Sequence, residues 1–338
     1  MSIFSSLELG KKSLSAAQIG QTTTGHNIAN VDTEGYSRQQ INQTAFKPTR
    51  SGEGTGVDVT SIRRSHDIFT QRKVIDEQDK VGQWSTRSDQ LDQLEVIFSD
   101  VGGSKLRNAL DEFWNGWSTV ANHPESSAQR TVLLSSANRL ADRFHAFDRQ
   151  MENFRTDLDD KLVNQVKEVN QYAGQIAELN KKIRAMKNTS LGANDFKDQR
   201  DQLLQKISER IAVNWLINGN GDMEVRVGNG HSLVQDIFAN PLVPKEDVEN
   251  NSKLSGVFIR EGRYDFDISD NLKGGSMAEL VRLRDHIIKG YQDHYNDLAK
   301  QISFEVNKLH ASGTGIERPL KRETSAFPVK PEMLAEPL

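Results

Sequence analysis

The sequence predicts a mainly α fold: an elongated bundle of long helices with a small β-hairpin insert and a partner-dependent N-terminal helix. Three observations predict it. Of 338 residues only 36% are hydrophobic and 7% aromatic, while 27% are charged. A compact globule carries roughly 45–50% apolar residues with glycine counted, whereas long thin helices bury one narrow stripe each. Apolar residues step by threes and fours over most of the chain, the spacing of a single helix face. From Val213 to Ile268 that period gives way to alternation, the spacing of half-buried strands.

The N-terminal helix, residues 1–32, carries Ile3, Leu7, Gly10, Leu14, Ala17, Gln21, Thr24 and Ile28 in heptad-like steps. Its first half is apolar and its second half fades to small and polar residues. Such a stripe cannot hold a lone helix, because helix stability in water comes mainly from tertiary packing. Ile3, Leu7, Leu14, Ala17 and Ile28 are therefore the expected subunit-packing face, ordered only against partners. Residues 33–65 form an extended linker rich in glycine, ending in a strand-like Val57–Ile62.

Residues 66–312 form a helical body. Val81, Trp84, Ser88, Leu91, Leu94 and Phe98 predict the inward face of one helix, stopped by Gly102-Gly103. Leu106, Leu110, Phe113 and Trp117 predict a second, near Lys105–Val120. Pro124 then falls in the first turn of a third, where proline is tolerated. Leu140, Phe144, Phe147, Met151, Phe154 and Leu158 continue it as a long rod. After an irregular patch at Leu162 and Val166 it resumes as Val169, Tyr172, Ile176, Leu179, Ile183 and Met186. Asn194 or Asp195 is the expected cap of a further helix, to about Ala212. A β insert at about 213–270, of two hairpins or so, turns at Asn218-Gly219-Asn220-Gly221. Ser276 is the expected cap of a final helix with Leu280, Leu283, Ile287, Tyr291, Tyr295, Leu298, Ile302, Val306 and Leu309 on one face. Residues 313–338 read as a proline-rich tail, the start of an outer domain or a truncated end.

The chemistry is sparse. Without cysteine there is no disulfide, thiolate site or cysteine nucleophile. His286 and His294 lie two helical turns apart, too far to share an ion without other ligands, and read as a solvated face. Asn218–Asp222 echoes a calcium loop, but Met223 stands at the sixth position and Asn229 at the twelfth. Gly52–Gly56 lacks the lysine and helix of a phosphate loop. A formal net charge of -4 gives no bulk attraction for nucleic acid, and no stretch approaches the roughly 18 apolar residues of a membrane span. Met1 to Gly20 holds no signal-peptide core. No catalytic residue, cofactor or metal is expected, and no nucleic-acid or membrane partner.

One string carries information of another kind: Thr24-Gly25-His26-Asn27-Ile28-Ala29-Asn30-Val31-Asp32-Thr33-Glu34-Gly35-Tyr36-Ser37-Arg38. Asn30 stops a helix, Gly35 permits a left-handed residue, and Tyr36 and Arg38 fall on one side. An ordinary helix stop explains the asparagine and the glycine but not the rest. The string resembles the N-terminal signature of the flagellar axial family, the rod, hook and hook-associated proteins, in Asn27, Ile28, Ala29, Asn30, Thr33, Gly35, Tyr36 and Arg38. The segments Gly56–Arg64, Asn122–Ser126, Asp198–Leu204 and Gly275–Val281 are similar to its hook-associated members.

The resemblance implies a structural subunit, exported unfolded through the flagellar secretion channel and set in a ring-like layer between hook and filament, with the first helix in the inner tube wall. It implies as partners copies of the chain itself, hook protein, a second junction protein (hook-associated protein 3) and an export chaperone. By the same resemblance, family members close with a C-terminal helix that returns to pair with the N-terminal one in the inner tube, and that chaperone reads the C-terminal end. A proline-rich stretch stands there instead, so the sequence reads as a fragment, a truncated protein or a divergent member. A rod or hook protein of the same family is the neighbouring alternative. A cytoplasmic coiled-coil adaptor would show the same heptads without needing the motif.

Overall fold

A computed structural model describes residues 3–45, 56–99, 104–186, 193–246 and 254–313. It is mainly helical with small antiparallel sheets. The order is α1 (Ile3–Ala29), β1 (Gln39–Ala45), β2 (Val57–Arg64), α2 (Ile68–Ile97), α3 (Ser104–Asn122), α4 (Ser127–Ala185) and α5 (Asn194–Arg210). Strands β3 (Val213–Ile217), β4 (Met223–Val227), β5 (His231–Gln235), β6 (Phe238–Ala239), β7 (Leu242–Glu246), β8 (Ser255–Glu261) and β9 (Tyr264–Asp267) follow. The chain closes on α6 (Gly275–Arg282), a π-helical turn at Leu283–Ile288 and α7 (Lys289–Ser312). Two compact units form, one from residues 1–97 and 149–291, the other from 98–148 and 292–338.

In the first unit the stripe of α4 runs through Met151, Phe154, Leu158, Leu162, Val166, Val169, Ala173, Ile176 and Ile183, all buried. Leu162 and Val166 belong to this stripe. Three consecutive steps of four approximate a hendecad, so the patch that looks irregular against a heptad is a change of period inside one unbroken helix. Each of these side chains larger than alanine is worth about 1.5–3 kcal/mol when fully buried. Asn170 pairs with the backbone of Leu242 through both amide atoms, at 2.7 and 2.8 Å, fastening α4 to the sheets.

The β insert is larger than the alternation suggests: a sheet of order β3-β4-β5-β6 and another of order β7-β8-β9, all pairs antiparallel. The predicted turn at Asn218 is present, with Asn218 Oδ1 accepting from the backbone of Asn220 and Asp222.

α2 corrects the expected inward face. Val81, Trp84 and Leu91 are exposed, and the helix buries Gln71, Ile75, Gly82, Gln90 and Leu94. Two contacts set this orientation. Gly82 lies so close to α5 that a Cβ there would collide with the Glu209 carbonyl. Arg87, stacked on the Trp84 ring, grips the fully buried Glu279 of α6 with two hydrogen bonds of 2.6 and 2.7 Å. Close approach and a bidentate ion pair outweigh the apolar stripe. Gly102-Gly103 lies outside the described residues.

The expected caps are not caps. Asn194 donates instead to the Ile62 carbonyl, Asp195 accepts from Gln39, and Ser276 donates to Gln165. No side chain caps α5 or α6. Pro124 sits in a turn ahead of α4, and the hydroxyl of Ser126, just before the helix, accepts from the Gln129 amide. The π turn widens the helix by a residue per turn, so Ile288 is buried where Ile287 was expected.

In the second unit Leu106, Ala109, Phe113 and Leu140 form the core, with Leu110, Trp117, Phe144, Tyr295 and Val306 packed against it. Phe147 and Tyr295 stack at 3.6 Å between ring centroids, and burial raises the Tyr295 phenol above its ordinary range.

Candidate assembly interface

α1 has a covered side and a bare one. The β1–β2 hairpin, paired in register from Gln39↔Arg64 to Ala45↔Val57 with one bulge at Asn42/Gln43, covers Ala16 and Thr23, and Gly20 lies beside Ile41. The predicted packing stripe is rotated away from that contact. Leu7, Leu14 and Ile28 are 71%, 70% and 69% exposed. Ala17 is exposed as well, and nothing is described of the Ile3 side chain.

At the end of α1 the motif folds into an elbow. Asn27 is its hub: Nδ2 donates to the Gln39 carbonyl at 2.9 Å, and Oδ1 accepts from the Gln39 amide and the Tyr36 hydroxyl, both at 2.8 Å. The Tyr36 oxygen in turn receives His26 Nδ1–H at 2.9 Å in the tautomer that places the proton there. Asn30 donates to the His26 carbonyl and accepts from the Thr33 hydroxyl, closing the helix. Gly35 takes a φ of +73°, open to glycine at little cost, and a Cβ there would strike Gln202. Ile28 and Ala29 are exposed, and Arg38 contributes its carbonyl to the Ser65 amide while its side chain stays in solvent.

The elbow rests on one face of α5. Asp195, Asp198 and Asp201, three residues apart, align there with Gln202. Asp195 accepts from Gln39 at 2.8 Å, Asp198 from the Ser37 amide at 3.0 Å, and Gln202 donates to the Glu34 carbonyl. Arg64, at the end of β2, bridges Asp198 and Asp201 at 2.6 and 2.8 Å, and all three are shielded from solvent. Burial, then Asp195 and Asp198, push the Tyr36 phenol up. Burial, then the cations Arg64 and Arg200, push Lys197 down. Burial pulls Arg200 down to about 10, and its guanidinium donates to Asn180 and the Gly221 carbonyl.

Of the motif residues, the structure joins Asn27, Asn30, Thr33, Gly35 and Tyr36 in one network and leaves Ile28, Ala29 and the Arg38 side chain outside it. The α5 carboxylates and Arg64 were missed as partners. The three-residue spacing of the acids was visible, but which basic residue meets them depends on a contact across 134 positions. Among the described residues no group of three or more acidic or histidine side chains is placed to hold a metal ion, and no helix is long and apolar enough to cross a membrane.

A helical body that carries a helix with a bare apolar stripe, hinged on a polar elbow, has the makings of an assembly subunit. Residues 7–36 match the flagella basal body rod protein family, which places the motif in the flagellar axial class. Residues 91–321 match the helical domain of flagellar hook-associated protein FlgK, and the chain belongs to that family. It is 26% identical over 306 residues to flagellar hook-associated protein 1 of Salmonella typhimurium, covering 89% of this chain and 55% of that protein. It is 29% identical over 249 residues to the same-named protein of Bacillus subtilis, covering 71% and 49%. The chain thus spans about half the length of these curated relatives. The flagellar hook junction protein FlgK of Burkholderia pseudomallei superposes with a TM-score of 0.57 at 23% identity, over 63% of this chain and 38% of that one, a likeness of fold.

Proposed function

We propose that the chain is a non-enzymatic building block of the bacterial flagellum, a subunit of the junction layer between hook and filament, exported through the flagellar channel. The observation that carries this reading is the bare heptad stripe of α1 opposite its covered face. Leu7, Leu14 and Ile28 exposed in steps of seven and fourteen make a seam for another helix, and a monomer gains nothing by exposing them. The family membership supplies the setting. Copies of the chain meet side by side along α1, with hook protein on one side of the layer and hook-associated protein 3 on the other. An export chaperone that reads the C-terminal end would act beyond the described residues.

The test is a deletion strain scored by electron microscopy. Hooks without filaments, flagellin shed into the medium and rescue by this chain establish the role. Normal filaments in the deletion strain end it. Leu7→Ser with Leu14→Ser is expected to abolish rescue while leaving the thermal midpoint of the purified protein unchanged.

A further inference from the structure

Three carboxylates of α5 receive the elbow, and the two outer ones face histidine. His26 Nε2 stands 3.8 Å from Asp195 Oδ2, and His66 Nε2 stands 3.5 Å from Asp201 Oδ2. The middle one, Asp198, is held by donors that keep their protons, the Ser37 amide and the Arg64 guanidinium. His26 lies near the end of α1 and His66 just beyond β2, so the two bracket the segment that rests on α5.

The hydrogen-bond chain fixes which nitrogen of His26 is bare. The Tyr36 hydroxyl gives its one proton to Asn27 Oδ1, so its oxygen receives the proton of His26 Nδ1. Nε2 of the neutral ring is then a lone pair turned toward a carboxylate, which gains nothing. Protonation adds an N–H on that atom and makes the contact an ion pair. At His66 the deficit lies on the carboxylate. Asp201 accepts from Arg64 through Oδ2, whereas its Oδ1 is buried with no hydrogen-bond partner among the described residues. An imidazolium donates from both nitrogens where the neutral ring donates from one. The side chains of His66 and Asp201 are 25% and 11% exposed, so solvent screens this pair less than a surface one.

We propose that the elbow is a proton-operated latch, seated on α5 when His26 and His66 are charged and loosened when they are neutral. The surrounding charges permit it. Asp195, Asp198, Asp201 and Asp67 stand around the two rings against Arg64, Lys197 and Arg200, four carboxylates to three cations. Arg64 is already engaged by two of those carboxylates. A proton held by the seated state and given up by the open one favours seating. The hold is therefore complete on the acid side of the histidine range and fades as pH rises through it, between about pH 5 and 8. The latch works within one chain and needs no partner.

The test is amide exchange of the full-length chain at about pH 6 and 8, a range in which ordinary carboxylates stay charged. Each protection factor is taken against the unstructured rate at the same pH. The reporters are the Ser37 and Gln39 amides, which donate to Asp198 and Asn27 at the elbow. Val169, buried on α4, controls for opening of the whole unit. Relative to Val169, both reporters should be protected several-fold more at the lower pH. His26→Gln and His66→Gln should each remove part of the difference and together all of it. Lys197→Gln, which takes away the amine whose proton burial loosens, should leave it intact. Equal or greater protection at the higher pH in the wild-type chain overturns the latch without recourse to any variant. So does a difference that survives the double substitution, or one that vanishes with Lys197→Gln.

Discussion

Asn27 uses both atoms of its amide to hold the first turn of β1 against the last turn of α1, and Tyr36 adds its hydroxyl to the same oxygen. No other residue type of this size both donates and accepts from one planar group. Asn27→Ala leaves the Gln39 backbone without its partners, at a cost of about 1–3 kcal/mol. For a unit of about 150–250 residues, each kcal/mol lowers the melting temperature by roughly 2–4 °C. A melting curve that superposes on the wild type would remove Asn27 from the hub. The phenol of Tyr36 adds a pH dependence whose sign is fixed by its raised pKa. The folded state keeps the proton longer than the unfolded one, whose value is 10.0, so the contribution is complete below that pH. It is lost as pH rises through the folded value. The stability gap between the wild type and Tyr36→Phe should therefore narrow above pH 10.0, and a gap that widens there would contradict the upward push of burial and the two aspartates on the phenol.

The stripe of α4 runs into the core as its period predicts, whereas α2 turns most of its stripe outward, and on α7 the expected Tyr291, Leu298 and Leu309 are exposed. On α4 the expected stripe is buried from Phe147 to Ile183 except at Tyr172, which is half-buried beside a buried Ala173, and Phe154→Asp forces a carboxylate into that core. The loss is expected to exceed about 3 kcal/mol, the lower end for deleting a buried phenylalanine alone. An unchanged urea midpoint would refute the buried assignment. On α2 the decisive position is Gly82, where a methyl group must push α5 away from the Glu209 carbonyl. Gly82→Ala is expected to destabilise by about 1–3 kcal/mol, despite the better helix propensity of alanine. A gain in melting temperature would show the close approach to be absent. This pair marks the limit of what the sequence disclosed. The period of α4, the hairpin turn at Asn218 and the helix stop at Asn30 all rest on neighbours within a few residues, and each was legible. The face of α2, the role of Asn194 and Ser276 and the partners of the motif depend on Glu279, Ile62, Gln165 and Asp198. These are contacts between distant segments that no local rule supplies.

The molecule as a whole distributes its stability unevenly. Buried apolar side chains concentrate on α4, α5, the two sheets and α6, whereas α1 shields Ala16, Thr23 and little else. Amide exchange in the purified protein should follow that division, with the interior of α4 slowest and α1 up to Gly25 among the fastest. Strong protection throughout α1 would mean that its covered side suffices, and the bare stripe would lose its claim on a partner.

The seat of the elbow on α5 differs in kind from the rest of the interior. Its fastenings are Arg64 between two aspartates, amide protons on carboxylates and a glutamine on a carbonyl, so opening it exposes groups that water satisfies at once. Its resistance to opening comes from charge and hydrogen bonding, so added salt should loosen it where it leaves an apolar core untouched.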